Sequence, residues 1–206
     1  MYSNEMNKAV LSAQKCIDLS CSEQSVSIMA AKYLKAFSDY LEVLDPSDID
    51  FMKTSLINKI IVKKYWEKFS KFCPNVEALI QKLKQCENVS ANTLITLENE
   101  QKRYVSVLSE FQNEKEENKD QEYFNQLAVA NNLNTIVSNT VQEHQILNKR
   151  LKDITKTATQ VFKNAILIAK TEYQINIVSQ TSALSSGSGN SLIYKQDYEK
   201  LSSLVR

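Results

Sequence analysis

Residues 133–175, LNTIVSNTVQEHQILNKRLKDITKTATQVFKNAILIAKTEYQI, carry the pattern that decides the fold. Leu133, Val137, Thr140, His144, Leu147, Leu151, Ile154, Ala158, Val161, Ala165, Ile168, Glu172 and Ile175 recur at alternating intervals of four and three residues. That alternation holds one edge of an α-helix against a neighbouring helix, the seam of a coiled coil. At 1.5 Å per residue the seam runs roughly 60 Å, more than a small globular domain requires, so a partner helix is implied. Thr140 and His144 adjoin each other on this edge. Buried, they would cost stability while fixing register; partly exposed, they would carry no such meaning.

The rest of the chain agrees with helix. Its two glycines, Gly187 and Gly189, lie near the end, and its two prolines are Pro46 and Pro74. Without glycine before residue 187 there is no material for a phosphate-cradling loop, a dinucleotide-binding turn or a tight β-hairpin. The expected fold class is therefore all-α, an elongated helical head followed by a long coiled coil. One histidine and four cysteines without paired spacing make no metal motif. No catalytic, metal-binding or cofactor-binding residue is assigned, and no small-molecule substrate is expected. The chain reads as a non-enzyme.

Towards the N-terminus, Val26, Met29, Ala30, Tyr33, Phe37, Tyr40, Leu41 and Leu44 predict a helix over 22–44, with a shorter one over 5–19. Asp45-Pro46-Ser47-Asp48 has the chemistry of a helix start, with Asp45 as N-cap and Pro46 in the first turn. Beyond it, Met52, Leu56, Ile60, Phe69 and Phe72 mark an apolar face that Ile57, Ile61, Tyr65 and Trp66 widen. Pro74 should end or bend that helix near Phe72–Cys73, leaving either two helices in a compact head or one kinked rod. Val76, Leu79, Leu83 and Cys86 resume the stripe, and Ser90 carries it on through a stutter to Leu94, Leu97, Gln101, Tyr104, Leu108 and Phe111. The charged tract QNEKEENKDQE at 112–122 is either a solvated stretch of helix or a loop that folds two helices back antiparallel.

The expected organisation is a head over 1–86, a coiled-coil region over 87–180, and a flexible linker with a short helical motif over 181–206. In that last segment Tyr194, Tyr198 and Leu201 form either a tethered docking peptide or a frayed end. Net charge is only +1, yet residues 53–84 hold eight lysines against Glu67 and Glu77. Lys59, Lys63, Lys64 and Lys71 could meet an acidic protein or anionic lipid, or could simply be solvated. Lysines without arginine forks offer no base-reading constellation, so direct contact with nucleic acid is not expected.

A helical head, a proline nine residues after Phe37, 28 further residues, and then Asn75-Val76-Glu77-Ala78-Leu79 opening another striped helix together resemble a known arrangement. Over residues 33–86 the chain is similar to the polyamine-modulated-factor subunit of the four-subunit Mis kinetochore complex. It departs from some of those relatives in having no proline-bearing linker between head and coil. The resemblance implies head helices paired with a sister subunit and a coil joining a rod that links centromeric chromatin to microtubule-binding machinery.

The expected function is a scaffold subunit of an obligate hetero-oligomer of coiled-coil proteins, with Tyr65, Trp66, Phe69, Phe72 and the seam from Leu133 to Ile168 at the partner interface. A membrane-associated module, curvature-sensing or vesicle-tethering, is the alternative. A self-folded bundle with its hairpin at 112–122, acting as an adaptor, is a third organisation. With neither a secretory signal nor an apolar run of spanning length, the expected location is the nucleus or cytoplasm.

Overall fold

The computed structural model describes residues 4–45, 48–51, 53, 55–113 and 120–181. Three α-helices account for nearly all of them: α1, Asn4–Val43; α2, Leu56–Gln112; and α3, Gln121–Thr181. No strand occurs among the described residues, and the fold is all-α. Tyr194, Tyr198 and Leu201 lie outside them, as do Pro46 and Met52.

Two sequence expectations change, and of the two readings of Pro74 the continuous helix holds. The two helices expected over 5–19 and 22–44 are one, because Ser20 to Ser25 contain no residue that breaks a helix. Asp48 to Asp50 are not helical, and α2 begins only at Leu56. Ser55 caps it instead, its Oγ accepting from the Asn58 N–H at 3.3 Å and its carbonyl from the Lys59 N–H at 3.0 Å. Pro74 lies inside α2, which runs unbroken to Gln112. A proline inside a helix costs about 3 kcal/mol. Pro74 and Ser70 both stand on the exposed side, where a carbonyl that has lost its donor can turn to water. Buried Tyr65 and Val62 before it, and Val76 and Leu79 after it, hold the helix on either side.

The chain forms two compact units, each taking a segment from all three helices. The first comprises Met1–Met29 with Cys86–Leu151. Its core joins Met6, Ala9, Ala13 and Cys16 of α1 to Leu97, Tyr104, Val107 and Leu108 of α2 and to Ala130, Val137 and Val141 of α3. The three-and-four spacing of each set places it on one helical edge. Here α2 and α3 run antiparallel: Glu98 accepts from Gln145 Nε2 at 3.0 Å, Gln101 Nε2 donates to Ser138 at 3.3 Å, and the rings of Phe111 and Tyr123 stack at 5.0 Å. Asp120 Oδ1 caps α3 by accepting from the Tyr123 N–H at 2.8 Å.

The second unit comprises Ala30–Gln85 with Lys152–Arg206. Its buried residues include Leu34, Phe37 and Leu41 of α1, Leu44 just beyond it, Val76, Leu79 and Leu83 of α2, and Ala158, Val161 and Phe162 of α3. α1 and α2 are antiparallel, since Tyr33 receives the Lys82 ammonium over its ring while Tyr40 packs on Phe72 and accepts from Asn75 Nδ2. Tyr65 Oη donates to the Leu44 carbonyl at 3.2 Å, satisfying a group that the end of α1 leaves without a helical partner.

Candidate docking face

Every seam residue whose side chain is described, from Leu133 to Ile168, is buried or half-buried within the chain itself. In the first unit Val137, Thr140, His144 and Leu151 are buried, and Leu133 and Leu147 half-buried. In the second Ala158, Val161, Ala165 and Ile168 are buried and Ile154 half-buried. In the first unit Val137 of this edge shares a core with Ala9 and Ala13 of α1 and with Leu97 and Tyr104 of α2.

His144 turns Nδ1 to the Thr140 carbonyl at 2.8 Å, a contact one turn back along its own helix. The aromatic group is likewise used internally. Phe51, which periodicity did not single out, lies 5.6 Å from the Tyr65 ring and 5.8 Å from that of Trp66; Phe69 packs on Trp66 at 5.9 Å, and Phe72 on Tyr40.

Among the described residues, the start of α2 groups several exposed apolar side chains. Asn58 faces inward, and its Nδ2 donates to the carbonyls of Asp50 and Lys53, tying the preceding loop to the first turn. Val62 and Tyr65 follow on the same inward face. The opposite face carries Leu56, Ile57, Ile60 and Ile61, which are 81%, 75%, 55% and 45% exposed. Their spacing of one and four makes them neighbours, a contiguous apolar patch rather than scattered side chains.

Along the next turns Lys63, Lys64, Lys68 and Lys71 are exposed on that side, with Lys59 on its flank and Glu67 the one acid among them. Lys63 and Glu67 approach to 3.9 Å, but both are solvated, so this pair contributes little. Before the patch, Asp48, Asp50 and Lys53 are exposed in the loop. The sequence places these four aliphatic residues on one broad apolar face with Tyr65 and Trp66. A signal of exposure was available, since Leu56, Ile57, Ile60, Ile61, Tyr65 and Trp66 together cover more of the helix circumference than one core can.

Several polar and thiol groups are engaged or buried within the chain. Glu100 is buried in the first unit, where it accepts from Ser12 Oγ at 3.0 Å and pairs with Lys15. The Lys15 hydrogen bond holds its carboxyl below the ordinary value, against the opposing effect of burial. Burial pushes the Cys16, Cys73 and Cys86 thiols up, which keeps them protonated and weakly nucleophilic. Tyr104, fully buried, donates to the Ala130 carbonyl at 2.6 Å, and burial pushes its phenol up to about 12. Among the described residues no helix is long and apolar enough to cross a membrane. No protein-family model, curated protein or solved structure matches the chain.

Proposed function

We propose that the chain is a non-catalytic helical scaffold that joins a larger assembly by docking, with the start of α2 as its working face. One observation carries this: four adjacent aliphatic side chains stand in water on a helix whose opposite face is committed to a core. Burying such a side chain gains about 1.5–3 kcal/mol, and patches of this kind mark surfaces that a second body covers. The resemblance over residues 33–86 supports a place in a kinetochore linker or spindle-associated complex acting in chromosome segregation, where the face would meet a sister subunit's helices.

Affinity purification of the full chain from dividing cells, beside an Ile57→Asp/Ile60→Asp variant, tests this reading. Recovery of chromosome-segregation proteins by the parent and their loss from the variant is the expected result. Identical partners on both baits would remove the face from the function.

The exposed lysines favour a second reading, in which the same strip rests on an anionic membrane surface. Flotation with phosphatidylserine vesicles that weakens as salt rises would support it. Absence of binding at low salt would discard it.

A further inference from the structure

We infer that the start of α2 receives a helix of another protein, one that is aliphatic over about two turns and acidic over the next two or three. This rests on the reading that the face docks at all, and names the chemistry of what it docks.

Helical spacing puts Leu56, Ile60, Lys64, Glu67 and Lys71 in one line, each three or four residues after the last. All five are exposed, while Asn58, Val62 and Tyr65 on the opposite side are buried. Ile57, Ile61 and Lys68 widen the line on one flank, and Lys59 and Lys63 on the other. Between Leu56 and Lys71, five exposed lysines thus stand against one acid, Glu67. Lys63 meets Glu67 at 3.9 Å with both ends solvated, and the Lys71 ammonium stands 5.7 Å from the Phe72 ring centre, so neither contact takes the net positive charge from the strip. Asp48, Asp50 and Lys53 of the preceding loop come close to balance, and the basic character is that of the helix itself.

Apolar and basic residues follow one another along the same side of α2 instead of dividing its circumference. A helix that lies in a membrane interface buries an apolar side along its length and keeps its lysines on the wetted side. Laid on a bilayer through Leu56 and Ile60, α2 would press Lys64 and Lys71 to the same depth and turn the Glu67 carboxylate towards an anionic surface. A second helix lying alongside reads the two blocks in turn, with aliphatic side chains opposite Leu56 to Ile61 and carboxylates opposite Lys63 to Lys71, over roughly 22 Å. A second copy of the strip offers no acidic block, so charge complementarity assigns the place to a different chain.

Site-directed crosslinking in dividing cells provides the test. The full chain carries a photoreactive phenylalanine analogue in place of Ile60 or of Lys71, and the captured peptides are read by mass spectrometry. The Ile60 position should capture a segment rich in Leu, Ile or Val. The Lys71 position should capture an Asp- and Glu-rich segment of the same protein, within about 15 residues of the first. With the analogue at Ile60, Lys64→Glu/Lys68→Glu should lower capture at least about tenfold, because like charges then face each other, while Lys64→Arg/Lys68→Arg keeps it. Circular dichroism checks that each variant retains its helices.

Capture of lipid, of a second copy of this chain, or of a neutral or basic segment at the Lys71 position would overturn the inference while leaving the docking reading intact. Glutamate substitutions that leave capture at Ile60 unchanged would do the same. If the Ile60 position captures nothing in the parent chain, both fall.

Discussion

The edge of α3 from Leu133 to Ile168 and the face of α2 from Leu56 to Ile61 look alike in sequence, each a run of aliphatic residues at helical spacing, yet they meet opposite fates. The first is covered by helices of its own chain, and the second stands in solvent. Periodicity establishes which side chains share a face, while the cover for that face is a matter of tertiary structure. Length is a poor guide to which edge is covered. The long seam is buried or half-buried within the chain, whereas two turns of α2 hold four exposed aliphatic side chains.

The largest effect that sharpens this contrast comes from placing one charge on each surface. Val137→Asp should cost more than about 4 kcal/mol in chemical denaturation, because a carboxylate would enter a dry core beside Tyr104 and Leu97. Ile60→Asp should stay within about 0.5 kcal/mol, measured where the chain is a single copy. Equal losses at the two sites would erase the distinction.

A gain of stability is expected next. Pro74→Ala restores a helical donor and should raise the unfolding free energy by about 1–3 kcal/mol in the same titration. A loss instead would mean that the packing on either side depends on a bend at this position.

Smaller again is the effect of the buried acid in the first unit. Lys15→Met should cost about 1–2 kcal/mol near neutral pH, tempered by the exposure of the lysine. Because the folded Glu100 value lies below the unfolded one, its contribution is complete above the ordinary carboxylate range. It is lost as pH falls through the lowered folded value. Stability measured from about pH 5 down to pH 2 should therefore fall less steeply in Glu100→Gln. An identical slope would deny the ion pair its role.

The smallest perturbation, a thiol reagent on the native chain, should modify exposed Cys21 well before buried Cys16 and Cys86. Comparable rates would show that the first unit opens readily.

Much of this was legible in the residues. The lack of glycine before residue 187 and the four-three alternation point to an all-α chain, and Leu97, Tyr104, Leu108 and Phe111 lie buried where their spacing puts them. The helix ends were harder. Asp45-Pro46 has the chemistry of a start, but the side chain of Asn58 and the ring of Phe51 hold residues 48–51 as a loop, through contacts that local sequence does not announce. Glu100 escaped notice because a carboxylate on a packed edge is sensible only once Lys15 and Ser12, from a distant helix, are beside it. The breadth of the stripe from Leu56 to Trp66 is visible in the sequence, but which of its residues the core takes up is settled only by the tertiary packing.

Radical footprinting of the full chain in dilute solution, read residue by residue with mass spectrometry, puts the central contrast to its most direct trial. Strong labelling at Leu56, Ile57 and Ile60 with protection at Val137, Ala158 and Val161 is the predicted result. Labelling of the α3 edge as heavy as that of α2 would contradict the account, because it would show a seam still waiting for another molecule.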